Sequence, residues 1–175
     1  MIFALDPYLC VPYRPMGGAL SKNDTILERC AAQPERFLVS ACEGDPRIAV
    51  ARLLTHPDNA VWEVWQTGTF VGIIMLDHIV LGVDARLQFV FFDDELASKA
   101  PLLAEFVRRC FTEFGFHRLT FEAPEPMKML LGFVRRKLGF AYEGETRAGS
   151  RREQAYFDGT AWRDVVTLRK LAEAV

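Results

Sequence analysis

Apolar residues recur along this chain with two different periods. Over residues 60–66, AVWEVWQ, they alternate with polar ones. Over residues 69–82, TFVGIIMLDHIVLG, almost every position is apolar. Alternation predicts a strand buried on one face, and a continuous apolar run predicts one covered on both. Thr67-Gly68-Thr69 separates the two runs and makes them a hairpin. ARLQFVFF, residues 85–92, predicts a third strand. The period then lengthens. Leu103, Phe106, Val107, Cys110, Phe111 and Phe114 share one helical face, with Pro101 in the first turn and Gly115 as the stop. Met127, Leu130, Leu131, Val134 and Leu138 do the same between Pro126 and Gly139. HRLTFEA, residues 117–123, predicts a short strand between these helices.

Upstream, Ser21 or Asn23 caps a first helix carrying Ile26, Leu27 and Cys30, which ends before Pro34. A second starts at Asp45-Pro46 and runs through Ile48, Val50, Ala51 and Leu54 towards Pro57. Two further strands are predicted around residues 140–147 and 163–169, with Asp158-Gly159 in the turn region between them. Residues 1–20 differ in character. Pro7, Pro12 and Pro15 argue against an interior strand or helix, because proline lacks the N–H donor and fixes φ. Yet Phe3, Leu5, Tyr8, Leu9, Val11 and Tyr13 are too apolar for a solvated tail. The segment is therefore expected to be an extended arm that docks on a protein partner or a second copy, those six residues forming the contact. Gly17-Gly18 would be its joint, and residues 21–175 a single domain.

The chain has 175 residues, half of them hydrophobic and a quarter charged, with a formal net charge of −2. That is ordinary globular composition and excludes disorder of the whole chain. Bulk charge gives no reason to expect nucleic acid. The basic runs Arg108-Arg109, Arg135-Arg136-Lys137 and Arg151-Arg152 are expected on solvated faces, with a nucleic-acid or acidic partner the less favoured use. The longest apolar stretch, FVGIIML, is far short of the roughly 20 residues of a membrane span. The N-terminus lacks the basic start of a signal peptide, so synthesis in the cytoplasm is expected. Cys10, Cys30, Cys42 and Cys110 are scattered and are expected to be free thiols. His56, His78 and His117 form no metal-ligand spacing. Trp62 and Trp65, three apart on a strand, are expected on opposite faces, one in the core and one at an interface.

The order of elements and two C-terminal stretches resemble the GNAT acetyltransferase superfamily. RKLGFAYEGETR, residues 136–147, is similar to the helix end and strand of the branch that acetylates ribosomal-protein N-termini. DGTAWRDVVTLRK, residues 158–170, is similar to that branch's terminal hairpin. The resemblance spans roughly residues 24–170. It implies an α+β fold: a mixed, largely antiparallel twisted sheet flanked by helices, here with the extended N-terminal arm. It also implies acetyl-CoA, whose pyrophosphate the family holds in a Q/R-x-x-G-x-G/A loop before a helix N-terminus. The matching stretch here, FFDDELASKA, has no glycine and carries Asp93, Asp94 and Glu95. A carboxylate beside a pyrophosphate costs ~1–4 kcal/mol, depending on exposure. Lys128 and Leu131 stand where the family has its cofactor-facing Asn and Ser.

These departures predict a scaffold without a cofactor: a non-catalytic structural or interaction component of an assembly. Phage genomes encode GNAT-like proteins of this kind among head-assembly and internal virion genes. The acidic turn would then cap the following helix. The alternative is an active N-acetyltransferase that transfers acetyl from acetyl-CoA to an amine. Its base would be Glu122, for which a strand-end charge near Lys128 is the structural reading, or Asp77. Asp77 and His78 are adjacent on a strand, so they are expected to face opposite ways and form no dyad.

Overall fold

The computed structural model describes residues 1–14, 25–37, 45–93, 95–144, 149–158 and 160–172. Pro15, Met16, Gly17, Gly18, Ser21, Asn23, Cys42, Asp94 and Gly159, and residues 145–147 of the expected strand 140–147, lie outside them. The sheet grows from the predicted hairpin. Strand β3 (Ala60–Gln66) pairs antiparallel with β4 (Thr69–Val80), and β4 with β5 (Asp84–Phe91). Thr67 and Gly68 both take positive φ in the turn, which matches the right-handed twist of the flanking strands. Nine strands form one sheet in the order β1-β2-β3-β4-β5-β6-β9-β7, with β8 also on β9. In chain order the rest are β1 (Phe3–Leu5), β2 (Tyr8–Pro12), β6 (Arg118–Pro124), β7 (Ala141–Tyr142), β8 (Arg151–Phe157) and β9 (Trp162–Leu171). Among the described strands only β5 and β6 run parallel.

Helices α1 (Thr25–Ala31) and α2 (Pro46–Thr55) cover one face of the sheet. Helices α3 (Ala100–Thr112) and α4 (Lys128–Leu138) cover the other. Strand alternation feeds both cores. Ile74, Leu76, Ala85 and Leu87 pack under α3 and α4, while Ile73, Met75 and Val90 pack under α1 and α2. Asp45 caps α2 by accepting the Arg47 N–H at 2.9 Å, with Pro46 in the first turn, as the sequence pattern requires. Cys10, Cys30 and Cys110 are buried free thiols. Burial pushes Cys10 and Cys110 up to about 12, which makes them inert as nucleophiles.

The expected arm is not an arm over its first twelve residues. β1 and β2 form a hairpin about a cis Asp6–Pro7 bond, and β2 zips onto β3 from Tyr8↔Gln66 to Pro12↔Trp62. Prolines are tolerated because Pro7 lies in the turn and Pro12 ends its strand, where few ladder donors are lost. Phe3, Tyr8 and Tyr13 are buried in this chain's own cores, Leu5 and Val11 are half-buried, and Leu9 is exposed. Both tryptophans are likewise used internally. Trp62 meets Phe106 edge-on at 5.0 Å, and Trp65 is half-buried against Phe70 at 5.6 Å in the second core. The expected strand over 140–147 is described as strand only at Ala141 and Tyr142. β8 escapes periodicity because its residues RREQAYF are nearly all exposed. It is recruited by β9, whose other face is core.

Phe3 stacks near Phe106 at 6.2 Å and under the Arg109 guanidinium at 4.9 Å. Phe3→Ala is expected to cost ~3–5 kcal/mol in urea denaturation, the range for truncating a buried aromatic. Deleting residues 1–13 also bares the β3 edge, and the truncated chain is expected to aggregate rather than remain a soluble domain. A cooperative melt within a few degrees of the full chain would disprove the structural role of these strands. Gly139 ends α4 in the left-handed region at φ 74°. Gly139→Val is expected to lower stability by about 1–2 kcal/mol from the backbone alone, read as a lower urea midpoint at unchanged slope.

Candidate active site where the sheet opens

Strands β5 and β6 pair only at Asp84↔Arg118, Ala85↔Leu119 and Arg86↔Thr120. Beyond Arg86 they diverge, although β5 stays on β4 as far as Gly72↔Phe91 and β6 stays on β9 as far as Pro124↔Val165. Two facing strand edges are thereby left without each other's hydrogen bonds. Gly72 holds β4 close to the free part of β5: a Cβ there would lie 2.3 Å from the Val90 carbonyl. The gap forms a cavity of about 320 Å³ with apolar walls from Phe89, Phe91, Phe121, Met127 and Leu130. Phe89 and Phe121 stack across it at 5.5 Å.

At the level where the strands part, polar side chains occupy the opposite face of the sheet. Asp77 on β4 is almost fully buried. Its Oδ1 accepts Arg86 Nε at 2.8 Å, and its Oδ2 accepts Arg86 Nη2 at 2.8 Å and Gln88 Nε2 at 2.6 Å. Arg86 also donates Nη1 to Glu122 Oε2 at 2.9 Å, an oxygen that accepts Arg152 at 2.8 Å as well. Thr167 donates to the other Glu122 oxygen at 3.1 Å. Burial alone would lower the Arg86 pKa. The hydrogen bonds and charge of Asp77, then of Glu122, outweigh it and hold the guanidinium above its ordinary value. The two carboxylates singled out in the sequence are thus tied together by one arginine. Glu122's partners are arginines and a hydroxyl, not Lys128.

Asp77 and His78 do not face opposite ways. His78 adopts φ 48° and the β4–β5 register shifts between Asp77 and Val80, so strand alternation fails at that residue. His78 Nδ1 lies 3.2 Å from Asp77 Oδ1, with the imidazole itself 72% exposed. A cavity of about 720 Å³ lies here, walled by Asp77, His78 and Arg86 and, from α2 and its end, by Arg52 and His56. Gln88 is common to the lining of this cavity and the one between the strands. Arg86 and Gln88 escaped attention in the sequence. Their only signal was polar residues recurring at alternate positions within an otherwise apolar strand.

The acidic turn does not cap α3. Residues 96–99 make a 3₁₀ turn first, and Lys99 occupies the N-cap position without a side-chain cap. The Lys99 ammonium is buried 2.8 Å from Asp93 Oδ2 and 5.3 Å from the Tyr8 ring. Desolvation would lower its pKa, but Asp93, and after it Tyr8, raise it overall. Glu95 is exposed. Leu131 is core and Lys128 is solvent-facing at the start of α4.

The fold has solved counterparts. It is similar to the spermidine N-acetyltransferase from Vibrio cholerae in complex with CoA and spermine: 12% identity, TM-score 0.71, covering 95% of this chain and 96% of that one. A dodecameric structure of that enzyme in an intermediate state matches at 13% identity and TM-score 0.67, covering 95% of each chain. This is the GNAT fold. No protein-family model matches the sequence, and no curated protein does. The GNAT neighbours overturn the expectation of a non-catalytic assembly component: they are N-acetyltransferases, and nothing among them supports a phage or virion role. Among the described residues no helix is long and apolar enough to cross a membrane, and no group of His, Cys, Asp or Glu is placed to hold a metal ion.

The GNAT fold implies acetyl-CoA, and this structure fits it in one part only. The open strand edges and apolar cavity suit the extended pantetheine chain. The N-terminus of α3, with Pro101 in its first turn, a buried Lys99–Asp93 pair and no glycine, does not suit a diphosphate.

Removing the Arg86 charge tests the polar cluster. Arg86→Met leaves Asp77 buried and under-paired, and is expected to cost ~3–5 kcal/mol in urea denaturation. Adding Asp77→Leu is expected to recover most of that loss. A double variant as unstable as the sum of the singles would show that the two residues do not act as a pair.

Proposed function

We propose that this chain is an N-acyltransferase of the GNAT fold that moves an acetyl group from a thioester to an amine. The observation that carries the reading is that two cavities share Gln88, which is bonded to the Asp77–Arg86–Glu122 cluster just beyond the end of the β5–β6 ladder. One cavity suits an extended donor chain, and the other, bounded by α2, is left for the acceptor. When bound, the thioester of acetyl-CoA supplies an activated acyl carbon. Gln88, Phe89, Phe121 and Leu130 are the residues that would hold its chain.

The protein's own task is to bring the amine to its neutral form and to hold charge at the crossing. His78 is the group placed to take the proton. Its Nδ1 faces the buried Asp77 carboxylate, which favours a proton on that nitrogen and leaves Nε2 with a lone pair. Asp77 is a positioning residue, its oxygens engaged by Arg86 and Gln88. Glu122 steadies Arg86 from the far side. The dodecameric neighbour supports self-association of this chain as well, which light scattering would report.

The test is thiol release from acetyl-CoA with a panel of primary amines, including spermidine and peptides with free N-termini. Mass spectrometry would identify the acetylated product. Release above the solvent rate for at least one amine is expected, and its absence for all would overturn the reading. His78→Asn keeps a residue tolerant of positive φ and is expected to lower kcat/KM about a hundredfold, the lower range for loss of a general base. Its melting temperature should stay near that of the parent. An equal loss with Glu122→Gln and none with His78→Asn would move the base to Glu122.

A further inference from the structure

Resting on that acyltransferase reading, we propose that the donor is recognised only by its thioester and pantetheine-like chain, and that a diphosphate adds nothing to its binding. The site would then accept acyl thioesters of any pantetheine arm, whatever the arm is attached to.

Two independent features lead here. The first is the cavity between the diverging strands. Its walls are the aromatic rings of Phe89, Phe91 and Phe121 with Met127 and Leu130, and it runs along strand edges that have no partner in each other. An amide-bearing chain can bury its methylenes on such walls and pair its amides with such edges. The second is the outer end of that cavity, where a diphosphate attached to the chain would have to sit. Asp93 lines it there. The ammonium of Lys99, paired with that carboxylate, is turned inward, with its side chain only 2% exposed and its Nζ 2.8 Å from Asp93 Oδ2. Asp93 itself is 36% exposed, and Arg36, the other charged residue of the lining, already donates Nε to Gln33 Oε1 and Nη1 to the Phe91 carbonyl, each at 3.0 Å. Pro101 removes one N–H from the first turn of α3, and no side chain caps that turn. Bringing a diphosphate here would require parting Asp93 from the buried Lys99 ammonium or accepting the repulsion of its carboxylate.

Calorimetry on the full chain with CoA, pantetheine and adenosine 3′,5′-bisphosphate as separate probes tests this. Pantetheine and CoA are expected to bind within about tenfold of one another, and the bisphosphate not to bind; where remote groups do contribute, their loss is felt directly. CoA binding roughly a thousandfold tighter than pantetheine, or measurable binding of the bisphosphate, would overturn the proposal and leave the acyltransferase reading standing. Binding of neither CoA nor pantetheine would remove that reading and this proposal with it. Leu130→Trp, which narrows the strand cavity, is expected to weaken CoA and pantetheine equally. Unchanged binding of both by a folded variant would place them elsewhere on the surface and overturn the proposal.

Discussion

The Asp77–Arg86 pair lies across β4 and β5 at the level where β5 parts from β6, and much of the molecule is arranged around it. A carboxylate this deeply buried persists only with its charge met and its lone pairs filled, and Arg86 with Gln88 does both. The same guanidinium reaches over the last rung of the parallel ladder to Glu122 on β6. It thus spans three strands where the backbone hydrogen bonding stops. Above this level the strands separate and the aromatic cavity opens. Below it the sheet is continuous. The pair also sets the orientation of His78, because the bulge at that residue returns the imidazole to its neighbour's carboxylate instead of the opposite face.

A second ion pair, between the buried Lys99 and the half-buried Asp93, lies beside the cavity. Lys99 enters a pocket formed by Tyr8, Phe91 and Asp93, so the first strands of the chain help to shape the start of α3. Tyr8 belongs to β2, which extends the sheet past β3 and contributes Phe3 and Cys10 to the larger core through its hairpin. The N-terminal segment is therefore both an edge of the sheet and, through Tyr8, part of the surroundings of Lys99. A lysine at the N-cap is unfavourable to the helix dipole, and Asp93 offsets that cost locally. The positive end of α3 is consequently not offered to an external anion in the way a glycine loop would offer it.

Much of the architecture could be read without coordinates. The hairpin of β3 and β4, the stripes of α3 and α4, the Asp45 cap and the Gly139 stop all follow from short-range rules, because each is decided by residues within a turn or two of one another. So did the GNAT fold, through the KLGF and terminal-strand patterns. The misses share a different cause. β1 and β2 looked unlike strands because proline was weighed without knowing that Pro7 would fall in a turn and Pro12 at a strand end. β8 had no apolar face to display. The dyad of Asp77 and His78 was discarded on ideal alternation, which a single positive φ cancels.

Sequence alone determined the β3–β4 hairpin, the apolar stripes of α3 and α4, and that the α3 junction lacks the glycines of a phosphate-binding loop. These are local properties, set by side-chain period, by proline and glycine stereochemistry and by the sign of neighbouring charges. Only the tertiary structure decided that Asp77, Arg86, Gln88 and Glu122 meet, that Lys99 is turned inward onto Asp93, and that two cavities share Gln88. Those facts depend on strand register between segments as much as 36 residues apart in the case of Arg86 and Glu122. Register is fixed by the summed packing of both cores against the sheet, and no stretch of the chain carries that sum by itself.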